Sequence, residues 1–320
     1  MYRLGIDLGG TNIAVGVVDE NFKIVGRGGV KTRAPRPANE IADDMAKAVF
    51  LALEDAGISI DDVESMGIGS PGAIDPIDGV VTYANNLEFR DVHLADMMRE
   101  RTGKDFYIEN DANAAAYGEF IAGAGKGTKN FVAITLGTGV GGGIIIDGKI
   151  YSGSNYAGGE LGHTVISMDG MRCSCGRHGC WEAYASATAL IKQTRQAMRR
   201  YPKSLMWELC EGDIDKVSGI TAFNAMRGGD IVGGMVVHRY VEYVAVGVAN
   251  IINTFQPEIL CIGGGISKEG DTLINPIEEL VMGDNYARFI KENTVIKTAA
   301  LGNDAGIIGA AFLGQLYSNK

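Results

Sequence analysis

Alternating apolar and polar positions predict that the chain opens with two strands joined by a glycine turn. Strand-like apolar residues run from Tyr2 to Val18, around the glycine-bearing segment 7–12 and on through 13–18, and short β-branched runs broken by glycine are typical of a hairpin. The same order of strand, glycine-rich turn and strand returns at 131–146. This repetition predicts two related halves.

Apolar residues at helical spacing predict three helices, at 38–57, 236–255 and 305–317. Gly57 and Pro257 are placed where they would end the first two. Short apolar runs predict buried strands at 63–69, 106–109 and 259–262. Strands alternating with helices indicate an α/β protein, and without a Pro/Ser-rich linker we expect two lobes sharing a cleft.

Composition narrows the classes of function. The chain has 320 residues, 46% of them hydrophobic, and a net charge of −10. This is the composition of a folded protein with a large core, and the negative charge disfavours nucleic acid and anionic membranes as partners. A small molecule is therefore the expected ligand. Glycine, at 46 residues, is about twice its usual share, and we expect much of it in loops around one binding cleft.

The sequence has no run of about 18 apolar residues, and its first residues lack the layout of a signal peptide. These observations predict a cytoplasmic protein that does not contact a membrane.

Two glycine turns could hold an anion. Gly9, Gly10 and Thr11 in the first, and Thr138 with Gly139 in the second, offer backbone N–H groups without a Cβ in the way. Neither turn matches a P-loop or a Rossmann fingerprint. Asp7, directly before the first turn, could hold Mg²⁺ beside a phosphate; the alternative is a cap of the turn.

Three cysteines and a histidine form a candidate metal site. His163, Cys173, Cys175 and Cys180 supply one imidazole and three thiolates, a donor set typical of a closed structural zinc site. Buried free thiols are one alternative. A nucleic-acid zinc finger is another, which the absence of a basic helix and the net charge oppose.

Acidic and amide side chains stand at the predicted junctions between elements: Asn86, Asn110, Asp111, Glu160 and Glu182. Such groups bind polyhydroxylated ligands because each can hydrogen-bond a hydroxyl with defined direction. Asp111, after a strand, is the candidate general base for a hydroxyl proton. Its alternative role is the N-cap of the following helix.

Together these motifs resemble the ROK family (repressor, open reading frame, kinase) of the actin-like ATPase superfamily. The resemblance covers about residues 3–312. The segments that carry it are 7–12, 109–113, 136–143, 160–163, 173–182, 263–265 and 303–306. The cysteine motif with its trailing Glu182 is the most specific of them.

The resemblance implies an actin-like (ribonuclease H-like) fold of two lobes, each with a mixed sheet flanked by helices, around a cleft for ATP, Mg²⁺ and a hexose. The implied lobes are 1–112 with 306–320, and 113–305, which carries the zinc. Asp111 would take the proton of the sugar's 6-hydroxyl. The implied binding residues are Asn86, Asn110, Glu160, His163 and Glu182 for the sugar, Gly9, Gly10, Thr11, Asn12, Thr138 and Gly139 for the phosphates, and Gly264 and Gly265 for the nucleoside. One ring nitrogen of His163 would face zinc and the other the sugar.

Glucose is the expected hexose, because the layout of 182–186 is most similar to the glucokinase branch. Phe89 and Glu88 depart from that branch, in which Trp and a small residue or Pro are usual at these positions. The alternatives are another hexose (N-acetylmannosamine, N-acetylglucosamine, fructose, allose or mannose), a sugar-sensing regulator without a DNA-binding domain, and an actin-like scaffold ATPase. The family also implies a homodimer or homotetramer.

Overall fold

A computed structural model of the protein describes residues 1–317, so residues 318–320 of the expected first lobe lie outside the description. The strands are β1 Tyr2–Leu8, β2 Asn12–Val18, β3 Ile24–Lys31, β4 Val63–Ser70, β5 Ala73–Asp75, β6 Val80–Ala84, β7 Phe89–Val92, β8 Phe106–Asn110, β9 Phe131–Leu136, β10 Val140–Ile146, β11 Lys149–Ile150, β12 Ile259–Gly263 and β13 Val295–Thr298. The helices are α1 Ala38–Ala56, α2 Leu94–Thr102, α3 Asp111–Ala122, α4 Glu182–Ala185, α5 Ala187–Arg200, α6 Met206–Leu209, α7 Thr221–Arg227, α8 Ile231–Phe255, α9 Asp271–Asp284, α10 Ala305–Ala311 and α11 Gly314–Tyr317.

Two five-stranded sheets have the same internal order. The first runs β3-β2-β1-β4-β8 and the second β11-β10-β9-β12-β13, so in each the first strand along the chain lies at the centre. Each sheet is mixed: β1 pairs antiparallel with β2 and parallel with β4, while β10 and β11 are antiparallel and β12 and β13 parallel. The expectation of two related halves is confirmed. A separate sheet, β5-β6-β7, is antiparallel.

Most predicted elements are confirmed, and two helices need correction. Gly57 ends α1 in the left-handed conformation (φ 68°), as its position predicted. Helix α8 begins five residues earlier than expected, because Asp230 caps it by accepting the N–H of Val232. The single helix expected at 305–317 is divided into α10 and α11.

By internal contacts the chain divides into two units. Unit 1 comprises residues 1–132, 143–159 and 300–320, and unit 2 comprises 133–142 and 160–299. The cysteine cluster belongs to unit 2. The lobe boundaries implied by the family resemblance, at 112/113 and 305/306, stay a prediction.

Glycines allow α10 to lie at backbone contact distance from its neighbours in unit 1. A Cβ on Gly5 of β1 would overlap the carbonyl oxygen of Ile307, and one on Gly309 would overlap that of Ala114 in α3. Gly67 of β4 and Gly118 of α3 make similar approaches to α10. The glycine excess therefore serves helix and strand packing as well as the loops in which we expected it.

A buried carboxylate fixes the chain just before α10. Glu119, only 2% exposed, accepts hydrogen bonds from the backbone N–H groups of Ala300 (3.0 Å) and Leu301 (2.7 Å). It also accepts from Ala124, after the end of α3. Because α3 and the entry to α10 share this anchor, their positions depend on each other.

Helix α8 is, among the described residues, the one helix long and apolar enough to cross a bilayer by length and composition. Half of its apolar window is buried. Trp181 packs on it where Gly247 leaves space and donates its indole N–H to the carbonyl of Tyr243 (2.7 Å). These contacts are those of a core helix of unit 2.

We predict opposite effects for two glycine-to-alanine substitutions in helices. Gly309→Ala should lower the free energy of unfolding by about 3 kcal/mol or more, because its methyl group overlaps backbone that cannot move aside. Gly283→Ala, in α9 with no atom near the new methyl, should raise it by about 0.5–1 kcal/mol. Urea unfolding of both variants measures the difference. Equal effects would contradict the packing of α10 described above.

Candidate active site

The junction of β8 and α3 presents Asp111 in the first turn of the helix. Asn110 is the N-cap: its Oδ1 accepts the N–H groups of Ala112 (2.9 Å) and Asn113 (3.2 Å), and its Nδ2 donates to the carbonyl of Gly72. Asp111 is thus not the N-cap, although its Oδ1 also accepts from Ala112. Because Asn110 supplies the cap, the first turn of α3 does not depend on Asp111 for this role.

A buried glutamate supports this junction through hydrogen bonds. Glu109, 1% exposed, accepts from the backbone N–H of Asn110 (2.8 Å) and from the side chain of Asn113 (3.1 Å). Its second oxygen accepts the hydroxyl of Tyr317 at 2.5 Å. Asn110, the residue before Asp111, is therefore linked through Glu109 to Tyr317 in α11, the last described helix.

Asp7 and Asp111 form a pair of partly buried carboxylates in unit 1. Burial, together with the charge of Asp111, raises the pKa of Asp7 to about 6. Burial also raises the pKa of Asp111, against the opposing effect of its hydrogen bonds. Gly306 faces Asp7, and a Cβ there would lie 3.3 Å from the carboxylate. Two repelling carboxylates suit a divalent cation such as Mg²⁺, which prefers oxygen ligands.

The first glycine turn is clamped by the end of the neighbouring strand. Thr32, fully buried, donates its hydroxyl to the carbonyl of Gly9 (2.6 Å) and its N–H to that of Thr11 (3.0 Å). The N–H of Gly9 closes the turn on Asn12. Within residues 1–317, the N–H groups of Gly10 and Thr11 donate to no protein acceptor. They remain available for an anion.

Asn86 lies exposed in the turn between β6 and β7, with its amide against Gly10 of the first turn. The nearby Phe89 is 2% exposed and belongs to the hydrophobic core of unit 1. Phe89, where Trp is usual, therefore alters the packing of the core. Glu88 is exposed and adopts a positive φ of 55°.

The second glycine turn, in unit 2, is tied to Glu182. One oxygen of Glu182 accepts the N–H of Val140 (3.1 Å) and the other the hydroxyl of Ser174 (2.9 Å). A Cβ on Gly139 would overlap the first of these oxygens. Thr138 stands beside Gly139, and its carbonyl accepts the hydroxyl of Thr188 in α5. The turn thus joins the cysteine loop to the start of α5.

His163, Cys173, Cys175 and Cys180 come together as predicted, with one ligand atom from each lying within 4.8 Å of the others. Tetrahedral zinc, with bonds of about 2.3 Å to sulfur and 2.0 Å to nitrogen, separates its ligands by about 3.5–3.8 Å. The distances from Cys175 Sγ to Cys180 Sγ and from Cys173 Sγ to His163 Nδ1 are both 3.7 Å. The cluster fits a structural zinc ion.

The ring of His163 has its Nδ1 on the side of the cysteines, so Nε2 points away from them. Glu160 is exposed and its carbonyl accepts the N–H of His163, at the start of a short 3₁₀ turn. Within residues 1–317, neither the carboxylate of Glu160 nor Nε2 of His163 hydrogen-bonds a protein group, whereas the carboxylate of Glu182 accepts hydrogen bonds from Val140 and Ser174.

Gly264 and Gly265 follow β12, at the same end of the sheet as the second turn. Gly264 has a φ of 86°, and a Cβ there would lie 2.5 Å from the carbonyl oxygen of Leu136. Gly265 has open space around it. A cavity of about 430 Å³ lies beside the second turn and includes Thr138, Gly139, Ser174, Glu182, Thr188 and Lys192 in its lining.

The predicted residues fall into one group in each unit. Unit 1 holds Asp7, the first turn, Asn86, Asn110 and Asp111, and unit 2 holds Glu160, His163, Glu182, the second turn, Gly264 and Gly265. Sequence reasoning missed Thr32 and Glu109. A threonine at a strand end gives no signal of its own, whereas Glu109, an acidic residue in a buried strand beside Asn110-Asp111, could have been recognised as a support.

We predict that Asp7→Asn stabilises the folded protein at alkaline pH. Because the folded pKa of about 6 lies above the ordinary 3.8, ionised Asp7 destabilises the fold above pH 6, and this cost disappears as the pH falls towards 4. In metal-free buffer, the variant should exceed wild type by about 2–3 kcal/mol in free energy of unfolding at pH 8. The exposed Glu100→Gln is the control. A difference that grows on acidification would contradict the burial effect.

We predict about one zinc ion per chain in the purified protein. Cys173→Ser and Cys175→Ser should each lose the zinc and lower the thermal midpoint, because they remove one of four ligands. Cys210→Ser, a buried cysteine outside the cluster, should keep it. Metal analysis and thermal unfolding measure both effects, and zinc retained in both cluster variants would exclude this site.

Comparison with known proteins agrees with the two-sheet fold. The ROK family model matches residues 3–316. The glucokinase of Thermotoga maritima is 39% identical over 309 residues, which cover 96% of this chain and 95% of that protein. The crystal structure of a ROK glucokinase from Streptomyces griseus with glucose and AMPPNP has a TM-score of 0.83, 37% identity and coverage of 98% and 99%. The ROK hexokinase of Thermus thermophilus has a TM-score of 0.80 at 31% identity, covering 100% and 99%. This chain, with two mixed sheets in the actin-like arrangement, belongs to the ROK family.

Proposed function

We propose that this protein is an ATP-dependent glucokinase, which transfers the γ-phosphate of ATP to the 6-hydroxyl of glucose. The observation that carries the proposal is the junction of β8 and α3. There Asn110 takes over the capping role, and Asp111 stands beside Asp7 in a buried position that raises its pKa. The near full-length similarity to glucokinases, at 36–39% identity, supports the same activity.

Asp111 is the general base. As the hydroxyl attacks phosphorus, its proton passes to the carboxylate, which must be ionised beforehand. Burial brings the pKa of Asp111 upward, towards the range in which a carboxylate accepts a proton effectively. Phosphoryl transfer otherwise asks mainly for positioning and charge neutralisation.

The nucleotide phosphates bind the two glycine turns. Gly9, Gly10, Thr11 and Asn12 act from the first turn, and Thr138 and Gly139 from the second. The open N–H groups of Gly10 and Thr11 support this role. Gly264 and Gly265 approach the nucleoside, for which the open space at Gly265 leaves room. Mg²⁺, when bound with ATP, neutralises phosphate charge, and Asp7 would hold it directly or through water.

The hexose hydroxyls bind Asn86, Asn110, Glu160, His163 and Glu182. Asn110 and Glu182 are each partly committed to protein hydrogen bonds, so each offers the sugar its remaining capacity in a fixed orientation. His163 turns Nε2 towards the sugar while Nδ1 faces zinc, which fixes its tautomer. Zinc, when bound, holds the loop of Cys173 to Cys180 and supplies no reacting group.

The sequence and the family also support a proposal for the location, oligomeric state and lobes of the enzyme. We propose a cytoplasmic homodimer or homotetramer that contacts neither nucleic acid nor membrane, with lobes near 1–112 plus 306–320 and 113–305. The net charge of −10 supports the absence of polyanionic partners.

An ATP-coupled assay over glucose, mannose, fructose, allose, N-acetylglucosamine and N-acetylmannosamine tests the proposal. Glucose should have the highest kcat/KM. Asp111→Asn should reduce kcat for glucose by about 10²–10⁴-fold, because the base is lost, while the Kd of glucose changes little.

Asp105→Asn is the matched control, since Asp105 is an exposed carboxylate just before β8. It should leave kcat unchanged. Preference for another hexose would overturn glucose as the substrate, and an active Asp111→Asn variant would remove Asp111 from the role of base.

A further inference from the structure

Lys31, the last residue of β3, stands directly opposite Asn12 in the pairing of β2 and β3. Its ammonium donates to Asn12 Oδ1 at 2.7 Å, at the end of the first glycine turn. An ammonium has three donors, so this single bond leaves two for another acceptor.

The charge of Lys31 is uncompensated. Within residues 1–317, no carboxylate lies within 4 Å of its ammonium. The nearby Arg36, by contrast, pairs with Asp44 and donates Nε to the carbonyl of Thr32 (2.7 Å). Arg36 is therefore a structural cation of this strand end, and Lys31 is available for a ligand.

The backbone keeps Lys31 in place beside the turn. The next residue, Thr32, is bonded to both Gly9 and Thr11, so any movement of the turn carries Lys31 with it. Two open N–H groups, at Gly10 and Thr11, belong to the same turn. An exposed ammonium held to Asn12 by one hydrogen bond and the open N–H groups of the turn together form a site for an anion with several oxygen atoms.

We propose that Lys31 binds the terminal phosphates of the nucleotide through its two remaining donors. This inference rests on the proposed kinase function, which places ATP at the first turn. It assigns a role to a residue outside the glycine turns. The protein has a net charge of −10, and the paired carboxylates Asp7 and Asp111 repel phosphate groups, so a nearby cation helps to offset this repulsion. Asn12 holds the ammonium in position for this contact.

Nucleotide binding to Lys31→Met, Lys31→Arg and wild type, measured by calorimetry with Mg²⁺, tests the inference. The probes are AMPPNP and AMP, and the quantity compared is the affinity for AMPPNP divided by the affinity for AMP. In Lys31→Met this ratio should fall by about 10-fold or more, since a charge-assisted hydrogen bond to the terminal phosphates is lost. Lys31→Arg should restore most of the ratio.

Lys23→Met is the matched control, because Lys23 is an exposed lysine at the other end of the β2–β3 hairpin. It should leave the ratio unchanged. If wild type prefers AMPPNP and Lys31→Met keeps that preference, or loses affinity equally for both probes, the inference is overturned and the proposed function stands. If wild type itself does not prefer AMPPNP to AMP, the proposed function fails and the inference fails with it.

Discussion

The contact of α10 with β1, β4 and α3 is the constraint on which the geometry of unit 1 depends. Glycines at these contacts let backbone meet backbone, so the elements can occupy only a narrow range of positions. Two of these elements carry the carboxylates: Asp7 is the next-to-last residue of β1, and Asp111 is the first residue of α3. Gly306, in α10 itself, faces Asp7. A helix far along the chain thus sets the place of the two groups nearest the chemistry.

Groups close to the phosphates offset the repulsion between an anionic ligand and this acidic protein. Burial and the charge of Asp111 raise the pKa of Asp7, which favours a cation between the protein and the phosphates. Backbone N–H groups of the first turn, and the charge of Lys31 in our proposal, add attraction over a few ångströms. At such distances these groups outweigh the net charge, whose field is screened by salt within about 10 Å.

Much of the fold could be predicted because its signals are local. The hairpin around Gly9-Gly10-Thr11, its repeat at 131–146 and the end of α1 at Gly57 follow from residue period and turn chemistry. The zinc ligands were recognisable because four soft donors within 18 residues have few other uses. The predicted start of α8, at residue 236, was wrong. Gly233 and Gly234 weaken the helical pattern before that point, although Asp230 caps the helix.

Neighbouring residues encode seven of the thirteen described strands, the glycine turns, the cysteine and histidine cluster and the candidate base, and these could be read before the fold was known. The folded chain shows that Asn110, and not Asp111, caps α3, and that Thr32 and Lys31 hold the first turn. It also showed that many glycines serve helix packing. Apart from the local cap at Asn110, these features depend on contacts between residues far apart in the chain, and local spacing carries no record of which backbone segments will meet.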